Sequence, residues 1–439
     1  MNPRSRKPNA RRPRTQDGMA LVLVLLVIAI LSFLGIAGTR SAQTELQMGQ
    51  KDMVGRQALG AAEAGINHAY SLIKANLANR LSFAGACTQC AFDSELSGSG
   101  TGGALASIGS TATIGTQSYR FRVFGGGATD GYYVQAADNY DERTGANNSA
   151  IDRDAAIYLV SRGRVGSAER VVTALVSGSS IFPYGLFSKT SITLSGGSTT
   201  DSFDSRDGAY NAGTAGSGGS VRANGDISLS GGSTVVHGDA TAGGTVSASG
   251  GSSVTGTTTN GAPAMSFGPV PACGPPYSTT GVTFIGSHGS FVNGVLTVSN
   301  SNTTAVLAGG TYCMSSITLQ GSGIMQVTSA VNIFVTGAAT LSGGSVANTT
   351  SNASNLKLFS SLNDPTNNNG VTLSGGSGAY MTVYAPNTGV TFSGSSNFYG
   401  SVIANKIVNS GGTDIHYDGS VGAVLAPNPT LSKWHEVRN

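Results

Sequence analysis

The sequence predicts a mainly β protein of the α+β class. It would have a long N-terminal α-helix, a small antiparallel sheet and a C-terminal solenoid similar to a parallel β-helix. Three observations lead to this prediction: an uncharged apolar segment that begins at Met19, alternating apolar and polar residues between 107 and 177, and a Gly-Ser motif that recurs from residue 194 onwards. A chain of 439 residues has room for two or three domains.

The apolar segment, residues 19–38, contains no charged side chain. As a helix it would span about 30 Å, the thickness of a bilayer core. Six basic residues precede it and hold that side in the cytoplasm, so the residues after Arg40 are expected to be translocated. The segment is too long for a secretory signal, and Gly38-Thr39-Arg40 is a poor cleavage site. An uncleaved membrane anchor remains an alternative.

The helix is expected to continue to residue 81, because apolar residues recur at helical spacing beyond the span. They are Leu59, Ala62, Ile66, Ala69, Ile73 and Leu77. Glycines at four positions should weaken it locally, by about 1 kcal/mol each relative to alanine. The sequence therefore predicts one helix over residues 19–81, transmembrane at 19–38 and amphipathic after that.

Three stretches of this region carry a family resemblance: Gly18-Met19-Ala20-Leu21-Val22, Thr39-Arg40-Ser41 and Arg56–Gly65 (RQALGAAEAG). They resemble the N-terminal region of PilX-type minor pilins of type IV pili. The resemblance implies that residues 1–18 are a leader, that prepilin peptidase cuts after Gly18, and that Met19 becomes the N-methylated terminus. Major pilins carry a glutamate at the fifth mature position, which is Leu23 here, and its absence fits a minor or tip subunit.

Residues 82–180 are predicted to form a pilin-like head in which an antiparallel sheet lies against the helix, because their strands alternate with period two. A loop in this region is rich in acids, and oxygen-rich loops suit calcium. A calcium site and an ordinary solvated loop both remain open. The weak calcium candidates are Asp138, Asp141, Asp152 and Asp154.

The remaining residues, 181–439, are predicted to form the solenoid, because the motif LSGGS and its near-copies recur at intervals of about twenty residues. Each unit combines a short β-type piece with a Gly-rich turn, and glycine tolerates the positive φ that tight corners need. A β-sandwich and a disordered linker are the alternatives. Two irregular stretches, Gly261–Ser278 and Asn363–Gly370, are expected to be loops that leave the solenoid.

The composition excludes nucleic-acid binding as the main function, since charged residues are 11% of the chain and the net charge is +3. Removing residues 1–18 turns +3 into −2, because the leader holds six basic residues and one acid. Four cysteines lie in the exported part, which suggests disulfides in an oxidising compartment. Three pairings are possible, and proximity in the sequence favours Cys87 with Cys90 and Cys273 with Cys313.

Enzymatic sites on β-helices need clustered carboxylates. The segment Asp201–Gly208 contains three acidic residues and one arginine, and its Asp-Ser-Gly composition is typical of a turn. The sequence His416-Tyr417-Asp418 has no serine or cysteine in a nucleophile context. No catalytic residue and no cofactor, apart from the calcium candidates, is therefore predicted.

The expected function is that of a minor pilin that takes part in assembly or initiation of a type IV pilus and in adhesion at its tip. Its expected partners are other major and minor pilins, prepilin peptidase, the inner membrane and a surface or glycan ligand, with no nucleic acid. Before assembly the head would be in the periplasm, and afterwards in the pilus at the cell surface. A pseudopilin of a type II secretion system and a membrane-anchored β-helix enzyme acting on polysaccharide are the alternatives.

Overall fold

A computed structural model describes residues 17–437, apart from several short segments. The segments left out are residues 81–91, 97–103, 115–116, 125–129, 140–151, 153, 271–272, 300–301, 343–345, 367, 376–377 and 427. The chain opens with one continuous helix, α1 (Asp17–Arg80), which its glycines do not interrupt. A short helix, α2 (Asp93–Leu96), follows.

The head is an antiparallel sheet laid against α1, as the alternating sequence predicts. Its first five strands are β1 (Ser110–Ile114), β2 (Gln117–Val123), β3 (Gly131–Asp138), β4 (Ala156–Val165) and β5 (Ala168–Ser177). The sixth strand is the last of the chain, Thr430–Val437, which pairs antiparallel with β5. Because both ends of the solenoid segment lead into this sheet, the solenoid is an insertion between two head strands. The predicted boundary at 181–439 is therefore wrong for the last strand, which pairs with the head and not with a coil.

The solenoid begins with a group of strands that we call the first coil stack, residues 186–259. Its strands are β6 (Leu186–Leu194), β7 (Thr199–Phe203), β8 (Val221–Ala223), β9 (Ile227–Ser230), β10 (Val235–Val236), β11 (Ala240–Ala242), β12 (Val246–Ser249), β13 (Ser253–Val254) and β14 (Thr258–Thr259).

A second coil stack, residues 282–418, follows. Its strands are β15 (Val282–Ile285), β16 (Gly289–Val292), β17 (Val295–Val298), β18 (Thr304–Leu307), β19 (Gly310–Met314), β20 (Ser316–Leu319), β21 (Ile324–Val327), β22 (Val331–Val335), β23 (Ala339–Ser342), β24 (Val346–Asn348), β25 (Leu356–Ser360), β26 (Val371–Ser374), β27 (Ala379–Ser393), β28 (Asn397–Asn409) and β29 (Asp414–Asp418). The closing head strand, Thr430–Val437, is β30.

The two stacks join at the middle of the solenoid and not where the chain passes from one to the other. β28 and β29, at the end of the second stack, pair parallel with β6 and β7, at the start of the first. The first and last solenoid strands therefore lie side by side, next to the head. The solenoid is attached at its middle, and its two stacks extend in opposite directions.

Parallel coils build the core by stacking equivalent inward residues, as the repeat predicts. One inward row crosses the whole solenoid in register: Leu296, Ile317, Ala339, Val371, Val390, Ile407, Ile192, Ile227 and Val246. The Gly-Ser motif or a near-copy follows each of these strands except that of Leu296. In the motif after Ile192, Gly196 and Gly197 have φ of 77° and 84°. An L-residue with a side chain rarely adopts these values, which explains why the motif recurs.

The described residues between the stacks, 261–270 and 273–281, form a strap that lies along the outside of the solenoid. Beneath it runs an outward row of large side chains: Phe187, Ile403, Tyr384, Phe359 and Phe334. Phe267 of the strap packs on Phe187 with 4.5 Å between ring centroids, and the Gly268 carbonyl accepts a hydrogen bond from Tyr384. The stretch expected to leave the solenoid instead covers it, because the row beneath is too apolar to face water.

Candidate assembly helix and polar clusters of the solenoid

The N-terminal part of α1 projects from the head without any contact that buries it. Every side chain from Met19 to Met53 is exposed, including Leu23, Phe33 and Leu34. Among the described helices α1 has the length and composition to cross a membrane, and its apolar window lies wholly outside the folded body. Apolar surface on this scale is stable only in lipid or against other apolar helices.

The C-terminal part of α1 is buried against the head sheet. The buried positions repeat every three or four residues, at Ala58, Ala62, Ile66, Ala69, Ile73 and Leu77. This is the row that the sequence analysis selected, except that it begins with Ala58, whereas Leu59 is only partly buried. The helix is therefore divided into an exposed apolar half and a half fixed to the head.

Two glycines allow α1 to lie close to the sheet. A Cβ atom on Gly163 of β4 would come within 1.9 Å of the Ala58 carbonyl oxygen, and one on Gly65 of α1 would come within 2.3 Å of Ser161 Oγ. Since neither position can hold a side chain without displacing the helix, the contact between helix and sheet depends on both.

The sequence-predicted processing residues, Gly18 and Met19, lie in the first turn of α1. Leu23 lies one turn further on and is exposed, with no carboxylate at that position.

Comparison with known families identifies this helix. A family model described as PilX N-terminal matches residues 17–67, which lie entirely within α1. Residues 17–67 are therefore a PilX-type N-terminal segment. A second model, described as a domain of unknown function (DUF7305), matches residues 292–424, which cover most of the second coil stack.

Among solved structures, the chain is similar to the competence-associated pilin ComZ from Thermus thermophilus. The two share 11% sequence identity with a TM-score of 0.31, over 88% of this chain and 97% of that one. A similarity at this level transfers no property from ComZ to this chain. No curated protein matches the chain.

A disulfide joins Cys273 of the strap to Cys313 of β19, with 5.8 Å between their Cα atoms. This confirms one of the two favoured pairings. The bond fixes the far end of the strap to the second coil stack, where the Ser278 N–H also donates to the Cys313 carbonyl. Cys87 and Cys90 lie outside the described residues, so their pairing stays a prediction.

Two of the calcium candidates are placed where their oxygens bind peptide groups. Asp152 is fully buried and accepts hydrogen bonds from the N–H groups of Phe92, Ala155 and Ala156. Asp154 accepts from the Ala156 N–H and from Asn139. The pKa of Asp152 is raised to about 7, chiefly by burial and in addition by the neighbouring Asp154, while the hydrogen bonds from the Phe92 and Ala156 N–H groups oppose the rise.

Asp138 lies at the end of β3, and Asp141 falls outside the described residues. Within the described part of the chain no group of three His, Cys, Asp or Glu side chains is arranged to hold a metal ion. Calcium at these candidates stays a prediction.

The solenoid brings together two acid-containing segments that are far apart in the sequence. Asp201 of β7 lies beside His416 of β29, with 2.6 Å between Oδ1 and Nδ1. Its other oxygen accepts a hydrogen bond of 2.6 Å from Tyr210, which stacks on His416. Burial, and next the bond to Asp201, raise the pKa of the Tyr210 hydroxyl. The sequence gives no sign that the two segments meet, because only the pairing of β29 with β7 makes them neighbours.

Asp418, which also lies in β29, binds backbone N–H groups beside this cluster. Its buried carboxylate accepts hydrogen bonds from the N–H groups of Ser205, Ser420 and Ala353, which lie in three separate segments. Burial raises the pKa of Asp418, and these bonds lower it in part. Each carboxylate oxygen of Asp418 and Asp201 forms a hydrogen bond within the fold. Both carboxylates therefore hold the loop after β7 in place.

Proposed function

We propose that this chain is a minor pilin, that it enters a type IV pilus through the exposed half of α1, and that it presents the solenoid at the pilus tip. The observation that carries entry into the pilus is the division of α1 into an exposed apolar half and a half fixed to the head. In the membrane lipid covers the exposed half. In a fibre the same surface is covered by the corresponding helices of neighbouring pilins, so extraction is favourable only into such contacts.

Processing precedes assembly in this proposal. Prepilin peptidase cuts after Gly18 on the cytoplasmic side, and Met19 becomes the methylated terminus of the mature helix. Leu23 leaves the fifth mature position without the carboxylate that pairs with a neighbouring terminal amine. This favours a place where one such neighbour is missing, as at the tip.

The shape of the head supports the tip location. The solenoid is inserted between β5 and β30 and attached at its middle, so one coil stack extends on each side of the attachment. Side projections of this kind obstruct the helical packing of subunits along a fibre shaft. At the tip they are unobstructed, and their long faces are available for a surface or glycan ligand.

Processing is tested by mass spectrometry of the N-terminus of the native protein, beside Gly18→Val and the control Gly38→Ala. Gly38 lies in the same helix with nothing within 4 Å of an added Cβ. We expect a mature chain that starts at methylated Met19 in the wild type and in the control, and an intact leader in Gly18→Val. A wild-type chain that keeps its leader would overturn the proposal.

Location is tested by gold labelling of sheared filaments with an antibody against the solenoid. The proposal requires label at filament ends. Label spread along the shaft contradicts the tip location, and filaments without label contradict incorporation into the pilus.

A further inference from the structure

The two ends of the solenoid differ in how their strand edges are covered. At the end of the second coil stack, β16 turns back and pairs antiparallel with β17, and β15 pairs antiparallel with β18. The strap also bonds to β19 at this end, through Ser278 and Cys313. An antiparallel strand laid on a parallel stack prevents another parallel coil from adding there, so this end is closed.

The opposite end is the terminal coil, residues 243–260, and it is open. Each of its strands, β12, β13 and β14, pairs with the coil beneath it, and within the described part of the chain no strand lies on the outer side. One outer N–H, that of Val246, is bonded to Asn260. The remaining outer edge is exposed on all three faces of the coil.

The strands of the terminal coil also lack the charged residues and prolines that normally protect an edge. Residues 240–260 contain no Asp, Glu, Lys, Arg, His or Pro, and charges and prolines are the usual means by which proteins prevent edge pairing. The inward positions are left incompletely covered, since Ala248 is exposed and Val246 and Val254 are only partly buried. In the coil beneath, the corresponding Ile227, Leu229 and Val236 are fully buried.

The molecule already joins two coils that are not consecutive in the chain. At its middle, β28 and β29 stack on β6 and β7 over all three faces, although the strap and a whole coil stack separate them in the sequence. Coils of this protein therefore recognise one another by backbone edge and inward row. A partner that covers all three edges of the terminal coil at once must itself be a three-sided coil with an open end.

We propose that the terminal coil binds the terminal coil of a second copy of this chain. A contact between two identical ends is isologous, so it is limited to two copies related by a two-fold axis. The strands of the two copies then run in opposite directions and pair antiparallel. This contact bridges two heads without involving α1, so it is separate from the pilus function proposed above.

The test is the mass of the full-length protein in detergent, measured by light scattering across a concentration series. Ala248→Lys places a charge over the open core, and Thr259→Lys places one on the outer face of the edge strand. Both side chains stay in water in a single copy, so the fold is preserved, but an interface would bury them unpaired. The matched control is Ser290→Lys, an exposed position of β16 at the closed end.

We expect the wild type and Ser290→Lys to form dimers, and both terminal-coil variants to dissociate at least about tenfold more readily, as one unpaired charge in a buried contact requires. A wild type that stays monomeric overturns the proposal. Dimers that persist in Ala248→Lys and Thr259→Lys also overturn it, since they would place the contact elsewhere, as on α1. Chains longer than dimers overturn the closed two-fold arrangement.

Discussion

Ile192 and Ile407 lie opposite each other in adjacent parallel strands, one in the first strand of the solenoid and the other near the end of β28. Both are fully buried. This contact joins the two coil stacks into one continuous core and brings the two ends of the inserted domain together beside the head. Neighbouring ends are what an insertion between two strands of another domain requires.

Replacing Ile407 with alanine should therefore weaken both stacks together. We expect the free energy of unfolding of the solenoid to fall by about 2–5 kcal/mol, the usual cost of such a cavity. Circular dichroism during denaturant unfolding measures it, with Lys406→Ala as the control at the adjacent, partly exposed position. Loss confined to one stack, seen as two separate transitions, would show that the junction does not couple them.

The fold of each coil was predictable from the sequence, but the order of the coils was not. The glycines at most corners and the inward apolar residues of the strands are local features, so the repeat indicates a solenoid. Every coil presents much the same inward row and backbone edge, and any coil therefore fits on any other. The pairing of β28 with β6 is decided by the two connections to the head, which no local pattern records.

Contacts between segments that are distant in the sequence were likewise not predictable from local patterns. Phe267 and Phe187, or Asp201 and His416, become neighbours only when the stacks are joined in this order. β30 follows the solenoid in sequence, and its pairing with β5 is a contact with a strand more than two hundred residues earlier. The helix, by contrast, was correctly located, because apolar length and helical periodicity are properties of consecutive residues.

The disulfide between Cys273 and Cys313 should stabilise the strap. It closes a loop across a sequence separation of 40 residues, and a loop of this size contributes about 2–4 kcal/mol through the entropy of the unfolded chain. We expect the double variant Cys273→Ser/Cys313→Ser to unfold at lower denaturant concentration than the wild type.

Cys87→Ser/Cys90→Ser is the matched control, because that pair lies outside the solenoid segment. The solenoid transition of this control should be unchanged. Equal losses in the two double variants would contradict a specific contribution from the strap.

Gly65 and Gly60 make a matched pair within α1. An added Cβ at Gly65 would meet Ser161 Oγ at 2.3 Å and Val134 Cγ2 at 2.9 Å, whereas nothing lies within 4 Å at Gly60. Gly65→Ala should destabilise the head by about 1–3 kcal/mol through overpacking. Gly60→Ala should stabilise it by up to about 1 kcal/mol, because alanine favours the helix.

Thermal unfolding of the full-length protein in detergent compares the two variants. If both glycines respond to substitution in the same direction, the close approach of α1 to β4 does not control the stability of the head.

Asp152 should make the stability of the head depend on pH. Burial raises its pKa from 3.8 to about 7, so the folded head binds more protons than the unfolded chain between these values. The stability that Asp152 contributes is complete below pH 4 and is lost as the pH rises through 7. Asp152→Asn cannot ionise, and its melting temperature should fall less than that of the wild type between pH 4.5 and 7.5. Parallel pH profiles for the two proteins would refute this assignment.

Lys357 of β25 should make the stability of the solenoid change with pH in the opposite direction. Its side chain is 4% exposed and its ammonium donates to the Ser354 carbonyl. Burial lowers the pKa of the ammonium from 10.5 to about 8, so the folded protein binds fewer protons than the unfolded chain between these values. The stability of the wild type should therefore rise with pH through this window.

Lys357→Met removes the buried charge and keeps an unbranched side chain of similar length, so we expect the variant to be more stable than the wild type at pH 7. The difference should shrink towards pH 10, where the wild-type amine is neutral in the folded state. Lys406→Met, at a less buried position of β28, controls for the loss of a lysine and should show no such convergence. The measurement is the melting temperature of the three proteins at pH 7, 8.5 and 10. If the difference between Lys357→Met and the wild type is the same at all three pH values, Lys357 keeps its ordinary pKa.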